Sequence, residues 1–455
     1  MSFERRNGGI SRLGNFSQPS DAAESRQATE FPSGDTHDFS SYLHMWVELN
    51  VKVALFQDTA NIGAVKRTIL IHYHEISLKG NNRGWFENQL SHHVAVLLRD
   101  VPHGAMRRFA GRLGIELLED TTPEQTADIT RRLQMVFGIA NFIVARETVA
   151  DLDAIKSELK ELAEIDFQSF KIDSRRGTKE FPLNSQQLNQ QLGAYLQELT
   201  QKQVRMENPD AVFAVEIANG RAFLSVNKIQ GAGGLPYGTG GKAVCLLSGG
   251  LDSPVAAWRI MRRGCRVQYV HFHSFPHTTV ESQDKVRNIL HILSRYQLES
   301  VLHLVPFAEV QREIVAWAPP PLRVVLYRRF MVRIAEAIAQ REKAAALVTG
   351  DSLGQVASQT MENIRTISAA GTLPIFRPLI GDDKEDIIRI ARAIGTYEIS
   401  IQADQDCCSL FVPKHPETMS DLEQVERAEK QLDIPRLCRE AIDGMTREII
   451  LPEFS

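Results

Sequence analysis

Two short stretches of this chain carry residue types whose spacing implies chemistry. The first is Ser248-Gly249-Gly250-Leu251-Asp252-Ser253, which follows the apolar run Val244-Cys245-Leu246-Leu247 and precedes Pro254. Paired glycines let the backbone approach an anion closely, and the free N–H groups at the start of a helix favour negative charge. Ser248 and Ser253 add hydroxyl donors for phosphate oxygens. Asp252 would repel a bare phosphate, so its place there makes sense if Mg²⁺ lies between it and a polyphosphate. The competing explanation is a tight strand-to-helix turn capped by its own Ser or Asp. The stretch lacks the lysine and spacing of GxxxxGK[ST], which argues against a phosphate-transferring NTPase.

The second stretch is Cys407-Cys408, in a non-periodic segment between a strand-like Tyr397 to Ile401 and Pro413. A thiolate is a nucleophile, and neighbouring cysteines do not bridge each other comfortably. The other three cysteines read differently. Cys245 and Cys265 lie in or beside a strand, as small core hydrophobes do, and Cys438 lies in a charged helix.

The elements that must position these groups come from a chain of 455 residues, long enough for two or three domains with cores of their own. Apolar residues make up 43%, charged residues 24%, and no apolar run suffices for a membrane span. Five cysteines without a CxxC pair fit a reducing cytoplasm and give no ligand set for an iron-sulfur cluster. The net charge of −4 requires any nucleic-acid binding to come from local basic patches.

Residues 1 to 66 lack a sustained apolar face until about Trp46 and read as a disordered extension. From Arg67 a β-branched run, a helix at Trp85 to Arg99 and a strand pair around Gly111-Arg112-Leu113-Gly114 begin a small α/β domain. Helices follow at Pro123 to Val136, Asp151 to Ile165 and Ser185 to Leu199. Strands at Val212 to Ile217 and Arg221 to Val226 flank Asn219-Gly220, a type I′ hairpin signal. Residues 231 to 241 hold six glycines and a proline and read as a linker. Beyond it, strands at Ala243 to Leu247, Val267 to Phe272 and Val301 to Val305 alternate with helices from Pro254 and Ser282. That alternation predicts a doubly wound parallel sheet, with its ligand beyond the carboxyl ends of the strands.

The hexapeptide resembles the PP-loop, SGGxDS, of ATP pyrophosphatases, which cleave ATP between the α- and β-phosphates. Its surroundings resemble one family in particular. Ser248 to Gly264 with Val270-His271-Phe272, then Thr349-Gly350-Asp351-Ser352-Leu353-Gly354-Gln355-Val356-Ala357-Ser358-Gln359-Thr360, then Phe376-Arg377-Pro378-Leu379-Ile380-Gly381 and Asp406-Cys407-Cys408-Ser409-Leu410-Phe411-Val412-Pro413, are similar to the tRNA uridine 4-sulfurtransferases of the ThiI type. Tyr73-His74-Glu75-Ile76-Ser77-Leu78-Lys79-Gly80 resembles that family's opening motif, with His74 where glycine is usual.

The resemblance implies a ferredoxin-like domain (67–124), an RNA-binding THUMP domain (125–230), the linker (231–241) and a PP-loop domain (242–455). It implies ATP contacts from Leu246, Leu247, Ser248, Gly249, Gly250, Asp252, Ser253, His271, Phe272, Arg328, Gly350 and Gln359, with Asp252 catalytic and a Mg²⁺ ligand. It implies adenylation of uridine 8 in tRNA, followed by sulfur transfer through Cys408 or Cys407. Asp404 and Asp406 would raise a thiol pKa there, so activation would fall to Lys414, His415 or the bound tRNA. It further implies a homodimer and, in some members, a role in thiamine thiazole synthesis. A rhodanese-like sulfur donor is not part of this sequence, so a separate cysteine desulfurase is the expected donor.

Taken singly, Arg328 also reads as a solvated helix charge, and His271 as a satisfied core histidine. Basic clusters at Arg107-Arg108, Arg131-Arg132, Arg175-Arg176 with Lys179, and Lys202 to Arg205 are candidate phosphate contacts or solvated faces. Two rivals stay open: a PP-loop enzyme acting on a small molecule or another tRNA base, and an RNA-binding protein with a vestigial ATP loop.

Overall fold

The computed structural model describes residues 66–109, 111–177, 181–277, 280–403 and 413–454. The expected N-terminal extension up to residue 65, Lys179 and the Cys407-Cys408 pair lie outside the described residues.

The first module runs β1 (Arg67–His72), α1 (Arg83–Leu97), β2 (Met106–Phe109), β3 (Arg112–Glu116), α2 (Pro123–Gln134) and β4 (Asn141–Val149). This is the βαββαβ order of a ferredoxin-like unit. Its core joins Ile69, Ile71, Leu90, Val94 and Ile115 to Ile129 and Leu133 of α2 and Phe142 of β4. The boundary expected after residue 124 therefore moves to the far end of β4, because the apolar stripe of α2 is spent on this core. α2 starts sharply, with Thr122 and Gln125 in a capping box and Pro123 in the first turn.

The second module contains α3 (Leu152–Leu162), β5 (Ser169–Arg176), α4 (Ser185–Thr200), β6 (Gln203–Val204), β7 (Ala211–Ala218) and β8 (Arg221–Val226), with its own core around Leu159, Phe170, Leu192 and Phe213. Asn219 and Gly220 have φ of +49° and +72°, as a type I′ turn needs. β4 pairs with β1 through residues 141–146 and with β8 through 146–149, so one sheet, ordered β2-β3-β1-β4-β8-β7-β5-β6, runs through both modules.

β9 (Ile229–Gln230) returns to β4, and the glycine-rich segment follows. It lies between β9 and β10 (Lys242–Leu246), and it is packed and not free. A Cβ on Gly231 would sit 2.4 Å from the Ile139 carbonyl oxygen, one on Gly234 2.1 Å from that of Arg262, and one on Gly240 2.5 Å from that of Arg263. Around this strap, Phe137 stacks on Tyr296 with ring centroids 5.4 Å apart, and Arg263 pairs with Glu75 at 2.8 Å.

The C-terminal sheet has the order β14-β13-β10-β11-β12-β15. Its strands are β10 (Lys242–Leu246), β11 (Arg266–His273), β12 (Ser300–Pro306), β13 (Ala346–Val348), β14 (Ile375–Phe376) and β15 (Thr446–Ile450), parallel except for β15. One face is covered by α5 (Asp252–Met261), α6 (Glu281–Gln297) and α10 (Lys384–Ile394). The other is covered by α7 (Ala308–Trp317), α8 (Arg323–Arg341), α12 (Leu422–Glu429) and α13 (Ile434–Asp443). α9 (Met361–Ser368) and the single turn α11 (Tyr397–Ser400) complete the domain. α11 corrects the strand expected at Tyr397 to Ile401. The left-handed Gly395 (φ +83°) closes α10, the chain turns straight into another helical turn, and Arg392 lies over the Tyr397 ring at 4.5 Å. Alternation over so few residues does not separate a strand from one helical turn. α5 also begins two residues before the expected Pro254, which sits harmlessly in the first turn, where N–H groups have no intrahelical partner.

Gly234→Ala is expected to lower stability by about 3 kcal/mol, because positive φ and a backbone clash add. Gly220→Ala, with open space around it, should cost only about 1 kcal/mol. Urea denaturation of the two variants checks the contrast.

Candidate active site

Between β10 and β13 the order of the parallel strands reverses, and the loops leaving their carboxyl ends diverge and open a crevice. The loop after β10 is Leu247 to Leu251, and the loop after β13 begins Thr349-Gly350-Asp351. A cavity of about 380 Å³ lies there. Leu246, Leu247, Ser248, Asp252, Ser253, His271, Phe272, Arg328, Gly350 and Gln359 all line it. Gly249 and Gly250 stand in the same turn but are not among the lining residues, and Cys407 and Cys408 lie outside the described residues.

The turn is closed across its neck by its two serines. The Ser248 N–H donates to Ser253 Oγ at 2.9 Å, Ser253 Oγ donates back to the Ser248 carbonyl at 3.2 Å, and the Gly250 N–H donates to Ser248 Oγ at 3.3 Å. The hydroxyls thus shape the loop, so the capping explanation describes part of the truth. Gly350 fixes the opposite wall: a Cβ there would lie 2.7 Å from the Ser253 nitrogen and 2.9 Å from the Asp252 carbonyl carbon. Its smallness serves the approach of one loop to the other. His271 is buried, and its Nδ1 lies 2.9 Å from the Leu247 carbonyl oxygen, which anchors the start of the loop.

The walls of the cavity differ in character. Leu246, Val270, Phe272, Val324 and Met331 make an apolar end, while Ser248, Asp252, Ser253, Arg328, Asp351, Ser358 and Gln359 make a polar one. Asp252 accepts from Lys384 Nζ and Gln355 Nε2, each at 2.9 Å. Asp351, 3% exposed, pairs with Arg328 and accepts from Thr349 Oγ1 at 2.8 Å and Arg377 Nε at 3.1 Å. Burial alone would raise its pKa. The charge and hydrogen bond of Arg328, with Thr349 and Arg377, outweigh that and hold the carboxyl below the usual carboxylate range. Arg328 is therefore a pinned cation and no solvated helix charge. Gln359 Oε1 is buried without a hydrogen-bond partner among the described residues.

Sequence reasoning gave no role to Asp351, Gln355, Arg377 or Lys384. The first three stand inside the quoted motifs, so the signal existed. Lys384 had none, since only the fold brings the start of α10 to Asp252. The thiols of Cys245 and Cys265 are pushed up by burial, and that of Cys438 to about 11, so none of the three offers a thiolate near neutral pH.

A second, polar cavity of about 570 Å³ lies on the N-terminal sheet, lined by His72, Tyr73, His74, Ser77, Arg83, Gly111, Arg112 and Arg175. Of the basic clusters read from sequence, Arg175 reaches it. Arg132 is paired with Asp100 and Asp128, and Arg176 donates to the Phe181 and Leu183 carbonyls, so these two are committed to structure, whereas the pair of Arg131 with Asp128 is exposed.

Fold and site together define a nucleotide-binding α/β domain of the PP-loop class, carried behind a sheet-built, basic-lined module. Three family models match in order: the ThiI ferredoxin-like domain over residues 68–142, the THUMP domain over 149–227 and the thiamine biosynthesis protein ThiI over 238–434. A probable tRNA sulfurtransferase of Thermus thermophilus is 46% identical over 366 residues, covering 80% of this chain and 89% of that protein. Its counterpart in Caldanaerobacter subterraneus is 43% identical over 85% of this chain and 100% of its own. The chain belongs to the tRNA sulfurtransferase family. Among solved structures, a 4-thiouridine synthetase–RNA complex with bound ATP matches with a TM-score of 0.75 and 37% identity, over 84% of this chain and 99% of that one.

Asp351→Asn is expected to lower stability at pH 7 by about 3 kcal/mol, because Arg328 and Arg377 lose their buried counter-charge. The folded pKa of Asp351 is depressed, so its contribution is complete above the unfolded value of about 3.9 and is lost as pH falls through the folded value. The gap between variant and parent in urea denaturation should accordingly close in strong acid.

Proposed function

We propose that the protein is an ATP-dependent tRNA sulfurtransferase that makes 4-thiouridine at position 8. The observation that carries this reading is the cavity at the switch point, lined by apolar residues such as Leu246, Phe272 and Met331 together with Ser248, Ser253 and Arg328. A flat heterocycle with a polyphosphate has that shape and polarity, in a chain 37% identical to an ATP- and RNA-bound 4-thiouridine synthetase.

The adenine lies against Leu246, Phe272 and Met331, with backbone groups at the β10 end reading its edge. Gln359 Oε1 accepts from a ribose hydroxyl, and Arg328, held by Asp351, faces the phosphates. The N–H groups of the Gly249-Gly250 turn bind the phosphate oxygens. Of the two carboxylates at the polar end, Asp351 is taken up by Arg328 and Arg377, and Asp252 would hold a Mg²⁺ ion brought with the polyphosphate. Among the described residues no set of three carboxylate, histidine or cysteine groups could hold a metal alone, so that ion would arrive with the nucleotide. Lys384 supplies a further positive charge beside the departing pyrophosphate.

In the reaction, O4 of the uridine attacks the α-phosphorus and pyrophosphate leaves, which makes carbon 4 an electrophile with AMP as its leaving group. The terminal sulfur of a persulfide on Cys408 or Cys407 then attacks carbon 4 and expels AMP. A thiol cleaves the remaining S–S bond, forming a disulfide with the cysteine and releasing the thiolated base. The described residues on either side of the cysteine segment are anchored to the C-terminal domain. Lys285 donates to the Gln402 carbonyl at 2.5 Å. Asn363 Nδ2 donates to the Glu417 carbonyl at 2.8 Å and to that of Ala357 at 2.7 Å, in the turn that carries Gln359. The persulfide donor is a cysteine desulfurase, and the working unit is a homodimer. The same persulfide would feed thiamine thiazole assembly, in line with the ThiI model's description. Among the described residues no helix is long and apolar enough to cross a membrane.

The RNA is held by the polar cavity of the N-terminal sheet, where Arg83, Arg112 and Arg175 meet phosphates and affinity falls with salt. The vestigial-loop rival loses ground to the intact, pre-shaped turn.

Nucleoside mass spectrometry of tRNA from cells with and without the gene is the decisive measurement; 4-thiouridine that persists after deletion rejects the proposal. Lys384→Met should slow pyrophosphate release about a hundredfold, the scale of one lost charge-stabilising group. Cys408→Ser should leave pyrophosphate release intact and block thiolation. Thiolation at the parental rate by Cys408→Ser would move the role to Cys407.

A further inference from the structure

Glu216 is fully buried on β7, in the second module, and its carboxylate is shared by two residues of the first. His72 Nε2 on β1 hydrogen-bonds one carboxylate oxygen at 3.0 Å and lies 2.9 Å from the other, and Arg112 Nε on β3 lies 2.7 Å from the first of these, an ion pair without hydrogen-bond geometry. His72 and Arg112 are register partners in the β1–β3 ladder. In the sheet, β4 and β8 intervene between β1 and β7, so these side chains meet only because the sheet folds over on itself. A small core of Leu70, Ile143, Ala145, Ala218 and Phe223 fills the same concavity. Arg175 is the register partner of Glu216 on β5, and Arg112 Nη1 would lie 3.2 Å from a Cβ on Gly177 at the end of that strand.

A buried ion pair across a module seam is weak evidence for stability, since an apolar seam of similar volume holds as well or better. What it supplies is orientation, because a guanidinium and an imidazole on one carboxylate fix both the approach and the angle of the two modules. His72, Arg112 and Arg175 all line the polar cavity above it.

We propose that Glu216 is a positioning residue for RNA binding: by clamping His72 and Arg112 across the folded sheet it sets the angle between the ferredoxin-like and THUMP modules, and so places Arg112 beside Arg175 on the cavity wall. This rests on the reading of that cavity as an RNA site. Glu216 itself touches no RNA.

The test uses the full-length protein with tRNA, ATP and a persulfide donor. Glu216→Gln keeps the shape and removes the charge. Its KM for tRNA should rise roughly tenfold, the scale of one charge-assisted hydrogen bond, while kcat and the KM for ATP stay at parental values. Arg112→Lys, which keeps the charge and loses the planar fork, should show the same split and serves as the readout if Glu216→Gln does not fold. Arg175→Ala tests the cavity itself. If Arg175→Ala raises the tRNA KM while Glu216→Gln, or Arg112→Lys in its stead, leaves it unchanged, the positioning role is wrong and the cavity reading survives. If all leave it unchanged, the cavity is not the RNA site and both ideas fall. A drop in kcat at unchanged tRNA KM also overturns the proposal.

Discussion

The active-site half of this molecule depends on the contact between Gly350 and the backbone of Asp252 and Ser253. Two strands of a parallel sheet end side by side, and the chain leaves them in opposite directions. The crevice between the loops keeps its width only because one loop carries no side chain where it meets the first turn of α5. From that contact the cavity inherits its floor, and the serine clasp of the phosphate turn its backing. The carboxylate of Asp351, one residue on, then fixes Arg328 and Arg377. The polar end of the cavity is in this way held by contacts within the protein itself.

The N-terminal modules solve a different problem. They share one sheet, and that sheet folds over until Glu216 meets residues of β1 and β3. A polar seam of this kind contributes little net stability and a great deal of direction. The glycine strap then ties the modules to α5 and β11 through backbone contacts too close for side chains. The polar cavity of the N-terminal sheet and the cavity of the C-terminal sheet are therefore tied together through one packed strap.

Buried charge is used sparingly and always with partners. Glu216 is depressed in pKa although burial raises it, because His72, Arg112 and Lys228 more than compensate, and Glu429 behaves likewise between Arg329 and Arg333. The second cluster joins α8 to α12, with Arg329 and Glu429 both buried. The same chemistry thus lies between packed helices in one place and beside a polar cavity in another, and only the surroundings tell them apart.

Local order determined much of this protein. Glycine and serine spacing marked the tight turn after β10, and alternation of strands and helices marked the parallel sheet. Asn219-Gly220 marked its hairpin, since each of these signals acts within a few residues of chain. The motif residues Arg328, Gly350 and Gln359 were legible as a set, though their partners were not. Tertiary structure alone decided that Lys384 reaches Asp252, that Asp351 holds two arginines, and that α2 completes the first core. It alone decided that Arg132 is structural while Arg175 faces a cavity. These facts depend on residues tens to more than a hundred positions apart, and a linear pattern carries no information about which distant charge will be folded against which.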